Sequence, residues 1–229
     1  CEYGEGQDWY CSEEQEKLAF HADDAPIGKL ALGGMGAGKT SAGVIWVYLR
    51  WLESIDERTR LWTEALKAAE ETNTSPTSKP IEGGITAPTA ARLKIVIDEI
   101  TAKFPAPWFH FSSTDSLFTM CDGSLVRCVS TYRQSASQGS RLQGFNWAWW
   151  LGDELQDQLV EYIHIIARLR SKADGRAKRL ATATEKDAPE WRTFKTMLAE
   201  SGDWIEHSML GPHSPFIAQA HWDSMERQL

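Results

Sequence analysis

The feature that most constrains the fold of this chain is a glycine-rich loop, GGMGAGKT, which begins at Gly33. It satisfies the pattern G-x-x-x-x-G-K-[ST], with a short apolar run before it and helical apolar spacing after it. Glycines let backbone N–H groups wrap a phosphate without side-chain clashes, and the N-terminus of the following helix adds partial positive charge. The sequence therefore predicts a strand, a phosphate-binding loop and a helix in direct succession, rather than a glycine-rich turn without a ligand.

The loop positions have predicted tasks in nucleotide binding. We expect Lys39 to reach the β and γ phosphates of ATP and the Thr40 hydroxyl to ligate Mg²⁺. The other loop residues predicted to bind ATP are Gly33, Gly34, Met35, Gly36, Ala37, Gly38 and Ser41. Because the chain has no N-K-x-D segment for reading guanine, the pattern favours ATP over GTP.

A second motif, WAWWLGDE, ends a very apolar segment with two acids. A phosphate loop needs a carboxylate at the end of a neighbouring strand to hold Mg²⁺, and Asp153 is the candidate. Glu154 is predicted to be the catalytic acid that polarises the attacking water. Since Lys39 and Asp153 lie 114 positions apart with a strand-helix unit between them, we expect one strand to separate their two strands in the sheet.

The sequence predicts an α/β fold. Glu154 beside Asp153, together with the inserted strand, indicates a P-loop NTPase of the additional-strand catalytic-glutamate type. Strands alternating with helices indicate a mainly parallel central sheet flanked by helices. Period-two spacing over 108–130, with Asp122-Gly123 as a turn signal, predicts an antiparallel edge or hairpin. Helices are expected over 39–53, 58–71, 90–104, 157–170 and 188–202. In the third of these, the residues expected to face the sheet are Leu93, Ile95, Val96, Ile97 and Ile100.

Composition limits the partners that the chain can bind. A formal net charge of -8 argues against a general electrostatic grip on DNA or an anionic membrane, so any DNA contact should be local. The basic run over 168–179 is a candidate for such a DNA contact, although a solvated helix end is the favoured interpretation. The apolar segments are too short to span a membrane. The cysteines match no zinc spacing and are expected to be reduced, and the 11 tryptophans are expected mostly in the core.

The order of these motifs resembles the ATPase domain of the large terminase subunit of tailed bacteriophages, the motor that packages DNA into proheads. The matching segments are GGMGAGKT as Walker A, ITAPT as the second strand and its turn, DGSLVRCVS as a hairpin, GSRLQGFNWAWWLGDELQD as the approach to Walker B, and RLATATEKDAPEW as the coupling segment. The resemblance implies ATP hydrolysis that powers DNA translocation.

The resemblance also implies roles for single residues. Arg141 resembles a catalytic arginine finger, and the alternative is a loop arginine that binds carbonyls. Thr182, Ala183 and Thr184 resemble the coupling motif, and the alternative is ordinary strand threonines. Gln15 matches a glutamine that reads adenine, although an exposed helical glutamine is the favoured alternative.

The implied organisation is an N-terminal helical, adenine-side segment over 1–26 and an ATPase domain over 27–229. The family's nuclease domain is expected to be absent from this chain, so nuclease activity is not expected. The implied cofactors are ATP and Mg²⁺, and the implied partners are double-stranded DNA, a portal and a small terminase subunit. We expect a homo-oligomeric ring when assembled or a monomer in isolation, without membrane contact, in the cytoplasm of the bacterial host.

Two other functions remain open at this level. The segment DELQ is similar to the acidic motif of helicases, which makes a helicase-like DNA-dependent ATPase one alternative. The other is a nucleotide-dependent assembly module with little turnover on its own.

Overall fold

The centre of the molecule is an eight-stranded sheet. The computed structural model describes Gln15, Leu18 and residues 27–34, 37–76, 79–132, 142–169 and 177–209. The strands are β1 (Gly28–Gly33), β2 (Glu82–Ala87), β3 (Phe109–Ser112), β4 (Leu117–Met120), β5 (Leu125–Ser130), β6 (Trp149–Gly152), β7 (Lys178–Ala183) and β8 (Trp204–Met209). Their order is β3-β4-β5-β2-β6-β7-β1-β8.

Strand directions confirm the predicted class. The five neighbouring pairs from β5 to β8 are parallel, whereas β3, β4 and β5 pair antiparallel and form one edge. The turn at Asp122-Gly123 joins β4 to β5, as the sequence predicts. The fold is therefore that of a P-loop NTPase with an antiparallel edge.

One strand separates β1 from β6, as expected, but it is β7. The strand-helix unit that lies between the two motifs in the sequence supplies β2, which pairs with β6 on its other side. The glycine loop after β1 and the acids after β6 therefore flank the end of β7. Since parallel strands end at the same edge of a sheet, all three strand ends converge there.

The helices differ from the prediction in two places. The expected helices 39–53 and 58–71 are one helix, α1 (Lys39–Thr72), because the segment between them contains no glycine or proline to end it. The expected helix 157–170 is mostly 3₁₀ turns, Leu155–Asp157 and Leu159–Glu161, followed by the five-residue α3 (Tyr162–Ile166).

The other two helices agree with the prediction. Helix α2 (Ala90–Lys103) begins after Thr89, whose side chain accepts a hydrogen bond from the Arg92 N–H and caps the helix. Helix α4 (Pro189–Glu200) begins at a proline, which suits a first helical turn. Of the residues expected to face the sheet from α2, Ile95 does not, because its side chain is 50% exposed.

Apolar side chains form a core on each face of the sheet. In β6, Trp149 and Leu151 join the cluster packed with α1 and α2, whereas Trp150 joins the opposite cluster with α3 and α4. This alternation follows from the period of two along a strand. Every tryptophan in the described ranges is buried except Trp62, which confirms packing as their main role there.

Glycines in β2 accommodate two of these indoles. A Cβ at Gly83 would lie 2.0 Å from Cζ2 of Trp149, and one at Gly84 would lie 2.2 Å from Cδ2 of Trp147. Both distances are shorter than any van der Waals contact, so only glycine fits. The pair fixes β2 against β6 at the amino ends of the two strands.

The cysteines and the long helix test two further expectations. The prediction of reduced thiols is wrong for Cys121, which is disulfide-bonded at the exposed turn after β4, while Cys128 is free and buried. Cys1 and Cys11 lie outside the described residues. Within the described part of the chain, no helix is both long and apolar enough to cross a membrane.

Candidate active site

The glycine loop holds the buried amine of Lys39 at the end of β1. Gly38, with φ of 74°, turns the chain into α1, and Lys39 is the first residue of that helix. Lys39 Nζ donates hydrogen bonds to the carbonyl oxygens of Gly33 at 2.7 Å and Gly34 at 2.8 Å. Burial lowers the pKa of Lys39, and the nearby carboxylates of Glu154 and Asp153 oppose that shift. The loop thus keeps a cation at the position where a phosphate would lie.

Asp153 lies directly beside the loop, although the two are far apart in sequence. Its Oδ1 accepts hydrogen bonds from Thr40 Oγ1 at 3.2 Å and from Thr182 Oγ1 at 2.8 Å. Burial raises the pKa of Asp153, Glu154 raises it further, and the hydroxyl donors oppose the shift. The structure therefore brings together the two residues predicted to hold Mg²⁺.

Glu154 is fixed by its backbone and by its side chain. Its φ of 55° and ψ of 57° place it in the left-handed region, which a non-glycine residue rarely adopts. Its N–H donates to Thr182 Oγ1 at 3.2 Å, and its Oε2 accepts from Thr184 Oγ1 at 3.1 Å. The catalytic candidate is thus bonded to both threonines at the end of β7.

The predicted coupling residues differ in their surroundings. Thr182 is buried beneath the acids and bonds to both of them, whereas Ala183 is fully buried in the core of the α3 and α4 face. The Thr184 hydroxyl also receives a hydrogen bond from Lys39 Nζ at 3.4 Å. These contacts connect the end of β7 to Lys39 and to both acids.

Three further predicted residues can be placed. The favoured interpretation of Gln15 as an exposed glutamine is wrong, because Gln15 is 1% exposed and its Nε2 donates to the Gly38 carbonyl at 3.0 Å. Ser41 Oγ donates to Oε1 of Glu99 on α2. Ala37 is buried, and its N–H donates to the Gly34 carbonyl at 3.4 Å.

Other predicted residues lie outside the described residues. They are Met35, Gly36 and Arg141. The same holds for most of the N-terminal segment 1–26 and for the middle of the basic run, 170–176. At the described end of that run, Lys178 pairs with Glu53 at 3.1 Å, at the amino end of β7 and away from the site.

The structure adds site residues that the sequence reasoning missed. Arg92 Nη1, in the first turn of α2, lies 3.9 Å from Glu154 Oε1. Gln156 Nε2 donates to Glu154 Oε2, and Gln158 Nε2 donates to the Asp153 carbonyl at 2.6 Å. Gln156 directly precedes the helix expected over 157–170 and Gln158 lies in its first turn, so the spacing of the sequence did not single out either residue.

Oxygen ligands for a divalent cation are present. The Thr40 hydroxyl and the Asp153 carboxylate are the hard oxygen donors that Mg²⁺ prefers, and they lie within hydrogen-bond distance of each other. Across the described ranges there is no group of three or more His, Cys, Asp or Glu side chains able to hold a metal. A cation here would therefore take its other ligands from phosphate and water.

A separate cavity does not mark this site. It has a volume of about 510 Å³ and lies at the amino ends of the strands, where Arg50 and Glu53 of α1 face Trp149 and Lys178. Its lining mixes both signs of charge around an indole. The candidate active site is therefore assigned from the chemistry of the converging side chains and not from cavity volume.

Together, the strand order, the glycine loop and the acid pair define a P-loop NTPase. No protein-family model matches the sequence, and no curated protein matches it. Among solved structures, the large terminase of a thermophilic bacteriophage has a TM-score of 0.68 at 14% identity over 95% of this chain and 50% of that one. The chain thus has the fold of a phage large terminase, as the motifs predict.

Two other solved structures of large terminases are similar to this chain in fold. The large terminase of bacteriophage HK97 has a TM-score of 0.63 at 10% identity, over 98% of this chain and 48% of that chain. The ATPase domain of the Thermus phage P74-26 large terminase has a TM-score of 0.59 at 16% identity, over 96% of this chain and 86% of that one. This chain therefore spans about half the length of the thermophilic-phage and HK97 proteins. The thermophilic-phage protein has also been solved with ATP-γ-S and with ADP.

Replacing Thr182 with valine is expected to lower the free energy of unfolding by about 1–3 kcal/mol, because the buried Asp153 carboxylate loses its closest hydrogen-bond donor. Chemical denaturation measures the change. Thr182→Ser keeps the hydroxyl and serves as the control, with a smaller loss expected. Equal losses in the two variants would show that the hydroxyl contributes no more to stability than the methyl group does.

Proposed function

We propose that this chain is a Mg²⁺-dependent ATPase that drives DNA translocation into phage proheads, as the motor domain of a large terminase. The observation that carries the proposal is the contact between Thr40 Oγ1 and Asp153 Oδ1 at 3.2 Å, with Lys39 on one side and Glu154 on the other. A cation ligand, a phosphate ligand and a catalytic acid meet there, which is the set that ATP hydrolysis requires.

The roles of the residues follow from this arrangement. Lys39 would leave the Gly33 and Gly34 carbonyls to neutralise the β and γ phosphates of ATP. Thr40 and Asp153 would hold Mg²⁺, which supplies charge neutralisation at the phosphate oxygens when bound. The adjacent Gln15 supports a place for the adenine on that side of the loop.

Hydrolysis would begin at Glu154. Its carboxylate would accept a hydrogen bond from water and align it with the γ phosphorus. The new bond would form between the water oxygen and phosphorus as the bond to the β–γ bridging oxygen breaks. The proton that the water loses would pass to the Glu154 carboxylate and then to solvent, and ADP and phosphate would be released. Arg141 is proposed to stabilise the developing charge, from the same chain or a neighbouring one.

DNA translocation, the portal, the small terminase subunit and a homo-oligomeric ring belong to the proposal through the shared fold. The sequence identities of 10–16% to the large terminases support the fold and leave these partners to experiment. The connection of Thr182 and Thr184 to the acids supports a coupling role for 182–184, because a shift of the end of β7 would reach the catalytic carboxylate.

The proposal is tested by measuring ATP hydrolysis against protein concentration, with and without double-stranded DNA. We expect the rate per chain to rise with concentration and with DNA, because an arginine supplied by a neighbour completes the site only after assembly. A rate near zero under all conditions, with nucleotide binding retained, would instead identify an assembly module. Unwinding of a forked duplex by the same sample would identify a helicase.

A further inference from the structure

The side chain of Gln156 bridges two parts of the site that the sequence treats as separate motifs. Its Oε1 accepts a hydrogen bond from the backbone N–H of Thr184 at 3.1 Å. Its Nε2 donates to Glu154 Oε2, and to Asp157 Oδ2 at 3.3 Å. Gln156 is 8% exposed, so water replaces few of these contacts.

These bonds form a closed ring with Glu154 and Thr184. Glu154 Oε2 also accepts from Thr184 Oγ1 at 3.1 Å, and that hydroxyl receives a hydrogen bond from Lys39 Nζ at 3.4 Å. Turning the Gln156 amide over would set its NH₂ against the Thr184 N–H and its oxygen against the Glu154 carboxylate. The ring therefore fixes the amide orientation and, through it, the Glu154 oxygen.

We propose that Gln156 is a positioning residue that ties the Glu154 carboxylate to the residue following β7, so that the catalytic acid and the coupling segment shift together. This inference rests on the proposed ATPase function. Gln156 touches neither Lys39 nor the loop carbonyls in any described hydrogen bond, so its effect on hydrolysis passes through Glu154 and Thr184.

Two substitutions separate the two ends of the bridge. Gln156→Glu keeps an oxygen for the Thr184 N–H but places a second carboxylate against Glu154. Gln156→Leu has a similar volume and removes both hydrogen bonds. Asn73→Asp, at the far end of α1, adds the same negative charge away from the site and is the matched control.

Two measurements apply to each variant: hydrogen exchange of the Thr184 amide without nucleotide, and single-turnover ATP hydrolysis. We expect Gln156→Glu to protect the amide like the unmodified chain while the maximal single-turnover rate falls about tenfold or more, with the half-saturating concentration changed far less. In Gln156→Leu, amide protection and hydrolysis should both fall. Asn73→Asp should change neither.

Two results would overturn the inference. One is hydrolysis by Gln156→Glu within about twofold of the unmodified rate. The other is an unchanged exchange rate of the Thr184 amide in Gln156→Leu, which would show that the bridge does not hold β7. If the unmodified chain binds ATP without hydrolysing it, the proposed function fails, while the exchange measurement still decides whether the bridge exists.

Discussion

Replacing Glu154 with glutamine is expected to reduce the turnover of ATP by at least about a hundredfold, while nucleotide binding is retained. The amide has nearly the same shape and can still accept hydrogen bonds from Gln156 Nε2 and Thr184 Oγ1, so the local structure should persist. It cannot take a proton from the attacking water or polarise it as a carboxylate does. The loss should therefore appear in kcat rather than in nucleotide affinity.

Steady-state phosphate release measures the turnover of ATP, and titration with a fluorescent ATP analogue measures nucleotide affinity. Glu64→Gln makes the same chemical change on the exposed surface of α1 and should leave both values unaltered. Unimpaired turnover in Glu154→Gln would refute the assignment of this residue as the catalytic acid. The next candidate would then be another acid of the same site.

Replacing Lys39 with methionine is expected to lower kcat/KM for ATP by at least about a hundredfold, through both weaker binding and slower hydrolysis. Lys39 is the cation that the structure holds inside the glycine loop, with its amine on the Gly33 and Gly34 carbonyls. Methionine keeps most of the volume but cannot neutralise phosphate. Unlike Glu154→Gln, this variant should also lose affinity for nucleotide.

The same titration and phosphate assay separate the two variants. Lys94→Met removes a lysine from the exposed face of α2 and is the control for the loss of one charge. A thermal melt excludes unfolding as the cause. If Lys39→Met bound and hydrolysed ATP like the unmodified chain, the glycine loop would not be the phosphate site.

Much of the site was predictable because its chemistry is local. The strand, the glycine loop and the helix around residues 33–40 follow one another directly along the chain. The acids at 153–154 follow an apolar strand, and a strand of that composition is expected to be buried. The sequence therefore predicted Thr40 and Asp153 as ligands of one cation, and the structure brings them within hydrogen-bond distance. Gln156 and Arg92 were not predicted as site residues, because their hydrogen-bond and charge partners come from other elements. No spacing rule connects them to Glu154.

The prediction of helices was wrong in two places. Residues 53–58 carry no helix-ending signal, so the two helical patterns on either side of them continue as one helix. The segment after Glu154 has helical spacing, but Gln158 bonds to the Asp153 carbonyl and to Thr131 Oγ1. These tertiary bonds favour 3₁₀ turns there over a continuous helix.

The sequence by itself determined the phosphate loop, the acid pair, the alternating strands and helices and the antiparallel edge, because each depends on residues that are neighbours along the chain. Only the tertiary structure decided that β7 lies between β1 and β6, since strand order depends on which apolar faces pack best together. That order places Thr182 and Thr184 between the loop and the acids. It thereby joins Lys39, Glu154 and Gln156 into one hydrogen-bonded site.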